Sequence, residues 1–434
     1  MLDLKDLRAN PDTYITALKR RGVPREKVQK ILELDHVARQ QMQQAQEIKA
    51  EINRISKQIA EVIKNGDESS AETLRQQSKE LGTRYVKLNQ ESQSVLQELD
   101  LQLKLLPNLP APECPDGISE NNNIILKHYQ PINFQGYEPY QKIPHFEVGK
   151  ALGILDLERG AKLSGSMFVV FKKAGAKLQR ALTNWALDLH ESEFEEIKPP
   201  TLVKRETMVS TGHLPKFADE AYQIEKDDLW AIPTAEVPLT SLHKDEILPK
   251  DDLPKLMTAV TACFRREAGA YGKDTRGLLR VHEFEKVEIL AYCLPEQAGE
   301  IHLKLLSQAE LLLQKLNLEY RVVDLCAGDL GNSSRRTFDL QTYAPGINQW
   351  LEVSSVSWFG DYQARRANIR YKDSNGKLYF INTLNGSALA WPRVIATLLE
   401  VGRQPDGSVI LPEVLSKYLN GKIKINLRGE LEIP

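Results

Sequence analysis

The chain has 434 residues, of which 41% are hydrophobic and 27% charged, and its formal net charge is −2. This composition is typical of a globular protein with a sizeable core and excludes global disorder. A protein that binds nucleic acid over its whole surface would be basic, so any such contact here must come from local patches. Four cysteines without a C-x-x-C pair exclude a disulfide framework and indicate core thiols, with no zinc site expected.

The N-terminal segment MLDLKDLRANPD carries charges that interrupt any signal-peptide core, at Asp3, Lys5, Asp6 and Arg8. No stretch approaches about 20 consecutive apolar residues, so no membrane-spanning helix is predicted. We therefore expect a cytoplasmic protein in a reducing compartment that makes no membrane contact.

The first long pattern is a heptad seam. Steps of alternately three and four residues from Ile31 reach ten positions up to Val62, and nine of them are apolar. The turn formers KNGDESS interrupt this seam at 64–70, and a weaker seam resumes from Leu74 to Leu99. The pattern predicts an antiparallel coiled-coil hairpin whose first helix, at about 28–63, is about 50 Å long. The hairpin is either a dimerisation coiled coil or an arm that reaches a large partner.

The segment PNLPAPECPDG at 107–117 holds four prolines and predicts a linker. We therefore expect an N-terminal domain at 1–106 with its arm at about 28–100, a linker at 107–120 and a second domain at 121–434. Helical patterns follow at 171–191 and 297–317, and β-rich runs at 228–240, 257–264, 281–292, 318–326, 350–358 and 377–384. Few strand pairs are joined by a single helix, which favours an α+β domain with a mostly antiparallel sheet flanked by helices.

The chain lacks P-loop, Rossmann, H-E-x-x-H and G-x-S-x-G motifs, so any ATP chemistry must use another device. The densest polar cluster, at 261–289, predicts a strand with Arg265, Arg266 and Glu267, a basic glycine-rich loop and a return strand. The loop contains Gly269, Gly272, Lys273, Arg276 and Gly277. One face of the return strand would present Arg280, His282, Phe284, Lys286 and Glu288. Arginine and phenylalanine side by side suit a nucleoside triphosphate, and the alternative is a salt-laced solvent hairpin.

Two further clusters add polar side chains. Glu352 is followed by Ser354 and Ser355, and a carboxylate near a hydroxyl is a plausible Mg²⁺ site. Strand alternation places Ser355 on the opposite face from Glu352 unless a bulge intervenes. Further on, we expect a strand to end at Asn385–Gly386 and a helix to carry Arg393 one or two turns in, within reach of a triphosphate. The competing interpretations are ordinary strand polarity and a helix-surface arginine.

Together these segments resemble the three signature motifs of class II aminoacyl-tRNA synthetases. FRRE at 264–267 resembles the second motif, NGSALAWPR at 385–393 the third, and EIKPPTLV at 196–203 the first, which lies at the dimer interface in that class. Over nearly its whole length the chain resembles the bacterial seryl-tRNA synthetase family, through STGHLPKF at 210–217, IPTAEVPLT at 232–240, EAGAYGKDTRGLLRVHEFEKVE at 267–288 and DYQARRANIRY at 361–371. The resemblance implies a tRNA-binding coiled-coil arm on an antiparallel-sheet catalytic domain.

The resemblance also implies roles for individual residues. Arg265 would hold the α-phosphate of ATP beside Glu267, Phe284 would stack on adenine, and Arg393 would cover its other face and reach the γ-phosphate. The remaining ATP-site positions are Arg266, the backbone of Val281, and Glu352, Val353, Ser354 and Ser355, with Glu352 and Ser355 as the Mg²⁺ ligands. The implied serine-binding positions are Thr234, Ala235, Glu236, Glu288, Asn385 and Ser387. Four positions depart from the commonest family pattern: Glu193, Arg266, Trp358 and Trp391.

The implied activity is ATP-dependent serine–tRNA ligation by a homodimer, with selenocysteine tRNA also charged where that tRNA exists. A carrier-protein-loading paralogue would lack the full arm, and a non-catalytic relative would have lost Arg265, Glu288, Glu352 or Arg393. The arm would contact the tRNA backbone by shape, across to the other subunit. Its candidate phosphate contacts are Lys49, Arg54, Lys57, Arg75, Lys79 and Arg84.

Overall fold

The computed structural model describes residues 1–268 and 276–434. The chain divides into two compact units, Leu2–Leu106 and Pro107–Pro434, with Met1 assigned to the second. No helix in the described part of the chain is long and apolar enough to span a membrane. All four cysteines are described and buried, and none forms a disulfide.

The α-helices are α1 (Leu4–Ala9), α2 (Pro11–Lys19), α3 (Arg25–Lys64), α4 (Glu68–Leu105), α5 (His145–Ala151), α6 (Leu157–Ser164), α7 (Ala174–His190), α8 (Arg205–Thr211), α9 (Glu236–Ser241), α10 (Ala298–Lys315), α11 (Tyr362–Ala367) and α12 (Trp391–Val401). The strands are β1 (Ile124–Tyr129), β2 (Leu155–Asp156), β3 (Val170–Phe171), β4 (Glu195–Glu196), β5 (Leu202–Lys204), β6 (Gln223–Ile224), β7 (Leu229–Ala231), β8 (Ile247–Pro249), β9 (Lys255–Phe264), β10 (Glu283–Cys293), β11 (Tyr320–Asp324), β12 (Arg336–Ala344), β13 (Gln349–Gly360), β14 (Arg370–Lys372), β15 (Leu378–Phe380), β16 (Asn382–Ala390), β17 (Val409–Ile410), β18 (Lys424–Ile425) and β19 (Leu431–Glu432).

The N-terminal unit is dominated by the antiparallel pair α3 and α4. Helix α3 has 40 residues and is therefore about 60 Å long, somewhat longer than predicted. Every position of the predicted first seam is buried or half-buried, so the heptad pattern identified the contact stripe. The seam also buries Asp35, which the pattern did not predict, and pairs it with Arg8 and Arg39 at 3.0 Å each. Those two arginines compensate the buried carboxylate.

The second unit is built on an eight-stranded sheet with the order β1-β11-β12-β13-β16-β10-β9-β4. All neighbouring strands in it are antiparallel except β4 and β9, which confirms the predicted mostly antiparallel sheet. Helices α7, α10 and α12 supply Leu182, Leu305 and Ile395 to one large core with apolar residues of the central strands. The other face of β10 carries Lys286 and Glu288, and further along the strand it packs Leu290 and Tyr292 into a second core.

Several predicted element bounds were wrong. The run at 228–240 is a strand only over Leu229–Ala231, and its second half is helix α9. Strand β16 continues past Gly386 to Ala390, which places Arg393 in the first turn of α12. Residues 265–267 follow β9 and 280–282 precede β10, so these six residues, which the sequence placed on the two strands of the hairpin, lie outside them.

Candidate active site

A pocket of about 520 Å³, part of it open to solvent, lies where β9 ends and β10 begins, between the sheet and the start of α12. It brings together most of the candidate nucleotide residues: Arg265, Glu267, Val281, Phe284, Glu352, Val353, Ser354 and Arg393. Residues separated by more than a hundred positions in the sequence therefore share one cavity. The loop residues Gly269, Gly272 and Lys273, which the sequence also indicated, lie outside the described residues.

Arginine and phenylalanine meet on one side of this pocket. The guanidinium carbon of Arg265 lies 5.2 Å from the centroid of the Phe284 ring, a cation–π distance. Glu267 has a φ of +50°, and its Oε2 accepts a hydrogen bond of 2.7 Å from Arg280. Arg280 also lines the pocket. The cluster therefore combines positive charge for phosphate with an aromatic surface for a base.

Arg393 stands on the other side of the pocket. Its Nη1 donates to the backbone oxygen of Glu352 at 2.7 Å, and its Nε donates to the oxygen of Leu279 at 3.2 Å. The Glu352 carboxylate lies 3.8 Å from the same guanidinium. Arg393 thus contacts both strand β13, which carries Glu352, and the segment that follows the glycine-rich loop.

A bulge decides the position of Ser355. The β12–β13 register shifts between Leu340 and Gln341, which leaves Val353 as the extra residue. As a result Glu352 and Ser355 line the same cleft, which has an empty volume of about 1280 Å³. Asp339, the cross-strand partner of Ser355, also lines the cleft and has a buried Oδ1 without a hydrogen-bond partner among the described residues. Three oxygen-bearing side chains therefore face one space.

The candidate serine residues form a second, buried cluster. Glu288 is fully buried, and its two carboxylate oxygens accept hydrogen bonds from Asn385 at 3.0 Å and Thr234 at 3.2 Å. Ser387 is the cross-strand partner of Glu288 and lines the nucleotide pocket. Ala235 is buried just before α9 and contributes no polar side chain. This cluster offers hydrogen-bonding groups in a space suited to a small polar molecule.

Lys286 joins the two clusters. Its Nζ lies 2.6 Å from Oε2 of Glu288 and donates to Oγ1 of Thr234 at 2.7 Å, while the side chain also lines the nucleotide pocket. A buried lysine is tolerated here because the carboxylate compensates its charge. The sequence placed Lys286 on the right strand face but assigned it no role. The signal available in the sequence was that Lys286 lies on the same strand face as Phe284 and Glu288.

Glu236 is the second carboxylate near the serine cluster. Its Oε1 accepts a 2.7 Å hydrogen bond from Gln363, which in turn accepts one from Thr383. Burial and the neighbouring charge of Glu288 raise the pKa of Glu236 to about 7. Glu236 also lines a cleft of about 430 Å³ with His213. Nothing local in the sequence pointed to Gln363, because it comes from α11.

Some candidates lie away from the pocket. Arg266 is exposed, and its backbone N–H donates to the oxygen of Glu220 at 2.9 Å. Among the described residues that line the nucleotide pocket, neither Trp358 nor Trp391 is present. Trp391 is fully buried in the core, and Glu193 pairs with Lys304 on α10. These departures from the family pattern therefore affect packing and surface contacts around the site rather than its lining.

The arm candidates are all on the surface of the helical unit. Lys49, Arg54, Lys57, Arg75, Lys79 and Arg84 are exposed. Two of them make ion pairs one turn back in their own helix, Arg54 with Glu51 at 2.6 Å and Arg75 with Glu72 at 3.2 Å. Exposed pairs of this kind contribute little to stability, so both arginines can exchange partners at low cost.

Comparison with known proteins places both units in one family. Residues 1–110 match the seryl-tRNA synthetase N-terminal domain, and residues 217–402 match the tRNA synthetase class II core domain (G, H, P, S and T). The chain is 42% identical to a serine–tRNA ligase of Kosmotoga olearia, over 98% of this chain and all of the relative. It is 45% identical to that of Gemmatimonas aurantiaca, over 96% and 98% of the two chains.

The fold comparison agrees. The seryl-tRNA synthetase from Pyrococcus horikoshii, solved in complex with ATP, superposes with a TM-score of 0.88 at 35% identity, over 98% of this chain and 99% of that one. The cytoplasmic enzyme from Naegleria fowleri, solved with AMP, gives a TM-score of 0.82 at 28% identity, over 96% of each chain. On this similarity of sequence and fold, the chain belongs to the seryl-tRNA synthetase family of class II aminoacyl-tRNA synthetases.

Proposed function

We propose that the chain activates L-serine with ATP to form seryl-adenylate and pyrophosphate, and then transfers the seryl group to the terminal ribose of serine tRNA. In the first step the serine carboxylate attacks the α-phosphorus of ATP, and pyrophosphate leaves. The reaction needs no protein nucleophile, so catalysis consists of positioning and charge stabilisation. The pocket contains the groups that such a reaction needs: arginines for the phosphates and an aromatic ring for the base.

The nucleotide pocket supplies these groups from several elements. Arg265 would bind the α-phosphate, where negative charge develops during attack, and Glu267 would contact the nucleotide beside it. Phe284 would stack on the adenine, while the Val281 backbone would meet the base edge. Arg393 would cover the other face of the base and reach the γ-phosphate, with its position already fixed by Leu279 and Glu352.

The cleft around Glu352 and Ser355 fits Mg²⁺. The bulge at Val353 brings this carboxylate and this hydroxyl to one face, and Asp339 adds a buried oxygen without a partner among the described residues. Oxygen donors alone are the ligand set that Mg²⁺ prefers. Bound there, Mg²⁺ would neutralise charge on the phosphates of ATP. We assign Glu352 and Ser355 as its protein ligands.

One observation carries the proposal: Lys286 lines the nucleotide pocket and also bonds Glu288 and Thr234. The serine cluster therefore lies against the nucleotide pocket, as attack by the serine carboxylate on the α-phosphorus requires. Glu288, Asn385 and Ser387 would hydrogen-bond the substrate, and an apolar competitor would leave them unpaired. Thr234, Ala235 and Glu236 would complete the serine site.

Pyrophosphate exchange with Mg-ATP and each of the twenty amino acids tests the activation step, and charging of total bacterial tRNA tests the transfer step. We expect exchange with serine alone, followed by charging of serine tRNA. Exchange without charging would support the carrier-protein paralogue instead. Absence of exchange with any amino acid, in protein shown to be folded, would overturn the proposal.

Glu236 makes serine binding depend on pH. Its pKa of about 7 means that it is ionised mainly above pH 7 and protonated below. The serine ammonium group binds better beside the ionised carboxylate, so the serine KM should rise as the pH falls from 8 to 6, by about tenfold at most. The pH profile of the ATP KM is the internal control. Glu236→Gln should flatten the serine profile, and an unchanged slope in that variant would contradict this role.

The second unit alone would not explain tRNA charging, so we assign tRNA binding to the arm. Helices α3 and α4 present an exposed, partly basic surface, and duplex RNA is read mainly through its backbone and shape. We further propose a homodimer in which the arm serves the tRNA held by the other subunit. The same arm would accept selenocysteine tRNA where the cell contains it, and the buried thiols fit the reducing cytoplasm.

A further inference from the structure

A buried histidine–glutamate pair lies behind the nucleotide pocket. His145 begins α5 and Glu400 lies near the end of α12, and both side chains have no solvent exposure. Oε1 of Glu400 accepts two hydrogen bonds of 2.9 Å, from the backbone N–H and from Nδ1 of His145. Its Oε2 accepts one from the backbone N–H of Gly346 at 2.7 Å. The carboxylate is thus satisfied on both oxygens and holds the ring in one orientation.

The other ring nitrogen reaches the segment that follows the glycine-rich loop. The backbone N–H of Leu278 donates to Nε2 of His145 at 3.0 Å, so this nitrogen carries no proton and Nδ1 is the donor to Glu400. Gly277 packs directly on the ring: a Cβ there would lie 2.3 Å from Nε2, and its φ is +66°. Only glycine fits this approach without strain. The neighbouring Phe146 ring lies 5.5 Å from the guanidinium of Arg276.

Helix α12 therefore contacts residues 278–279 at two points. Arg393 donates directly to the oxygen of Leu279, and Glu400 acts through His145 on the N–H of Leu278. Arg393 and Glu400 are seven residues apart, so they lie on the same face of the helix, about 10 Å along its axis. Both contacts fix the backbone just before Val281 and Phe284, the residues assigned to adenine.

We propose that His145, oriented by Glu400, is a positioning residue for ATP. It holds the end of the glycine-rich loop at Leu278, so that the Val281 backbone, the Phe284 ring and Arg393 are aligned before the nucleotide arrives. Preorganisation of this kind acts on nucleotide affinity more than on serine affinity, because the serine cluster is held by hydrogen bonds of its own, among Thr234, Lys286, Glu288 and Asn385. The inference rests on the proposed ATP site.

Two substitutions at one position separate this role from simple stabilisation. His145→Gln retains an oxygen that can accept from the N–H of Leu278, whereas the shorter His145→Asn retains only a donor toward Glu400. A buried N–H without an acceptor is costly, so we expect His145→Asn to raise the ATP KM in serine-dependent exchange about tenfold. The serine KM should stay within about twofold of the parent value. His145→Gln should keep the ATP KM near that of the parent enzyme.

The control is His190→Asn, which removes another fully buried histidine from α7, away from the pocket. Equal rises of the ATP KM in both His145 variants, or a rise in His145→Asn no larger than in His190→Asn, would overturn the proposal. Serine-dependent pyrophosphate exchange by the parent enzyme is measured first. If the parent enzyme shows none, the proposed function fails, and that outcome is distinct from a failure of the role proposed for His145.

Hydrogen exchange in the unmodified protein gives a test that does not depend on folding of a variant. The amide of Leu278 should be protected before ATP is added, and a non-hydrolysable ATP analogue should change its protection little. An amide that exchanges freely until the analogue binds would show that the nucleotide, not His145, orders this segment. That result would overturn the proposal.

Discussion

Shortening the arm should leave serine-dependent pyrophosphate exchange within about twofold of the parent rate and lower tRNA charging by at least about a hundredfold. We expect a loss this large because the arm, in the proposed role, would act as a second binding site that raises the effective concentration of the tRNA at the catalytic unit. The residues that we assign to adenylate formation all belong to the unit Pro107–Pro434, so this step should survive. The measurement is exchange and aminoacylation kinetics on the same preparation.

The register of the hairpin shows where to cut. The ion pair between Lys30 and Glu98, at 3.3 Å, indicates that the residues near 42 lie opposite those near 86. Replacing residues 43–85 with a short Gly-Asn-Gly turn removes all six basic candidates and rejoins the helices in register. The cut leaves Asp35 with its partners Arg8 and Arg39, so the buried ion pairs at the base of the hairpin are preserved.

A full-length variant separates the effect of the arm's basic side chains from the effect of its length. Changing the six basic candidates to glutamine keeps both helices intact and should weaken tRNA binding most at low salt, with a shallower salt dependence than the parent. The same substitutions should not change the exchange rate. If the shortened enzyme charges tRNA with an unchanged tRNA KM, the arm does not bind tRNA and the dimerisation interpretation of the seam is favoured.

The helical unit was the easiest part to predict, because its information is local. A heptad repeat states which residues face the partner helix, and every seam position from Ile31 to Val62 is buried or half-buried. What the repeat did not predict is the burial of Asp35, a charged residue beside the seam. Its burial depends on Arg8 from α1, and no periodicity within α3 can report a partner from another helix.

The catalytic sheet was predicted as a class but not in its details. The run at 228–240 looked β-rich throughout, yet Glu236–Ser241 forms a helix packed against α8 and β10. Strand β12 was not predicted, and it supplies Asp339 opposite Ser355. Tertiary packing overrides local propensity in such short segments. The prediction of a mostly antiparallel sheet was nevertheless correct, because it depends on the order of the helices and strands along the chain rather than on where each one ends.

The site illustrates the same limit at the level of single residues. Strict alternation separates Glu352 from Ser355, and only the extra residue Val353 brings them to one face. A bulge is a mismatch between two strands, so neither strand alone encodes it. Gln363 and His145 were missed for a related reason: each acts on a residue more than a hundred positions away.

Replacing Arg265 should have the largest effect on the chemical step. Arg265→Ala removes the guanidinium expected to stabilise charge on the α-phosphate, and we expect kcat/KM for exchange to fall about a thousandfold, as for loss of a strong transition-state donor. The fall should appear mainly in kcat. Arg265→Lys should recover about tenfold at most, because an ammonium group keeps the charge but loses the planar fork that binds two phosphate oxygens.

Arg205 provides a matched control for this substitution. Its guanidinium lies 5.0 Å from the Trp230 ring and 3.5 Å from Asp228, so it is also an arginine placed over an aromatic side chain, but it does not line the nucleotide pocket. Arg205→Ala should leave exchange within about twofold of the parent, since a surface contact of this kind contributes little. If Arg265→Ala keeps a tenth or more of the parent kcat/KM, Arg265 does not stabilise the transition state. Lys286, a second cation of the pocket lining, which lies next to the serine cluster, would then be the first candidate to meet the charge on the α-phosphate.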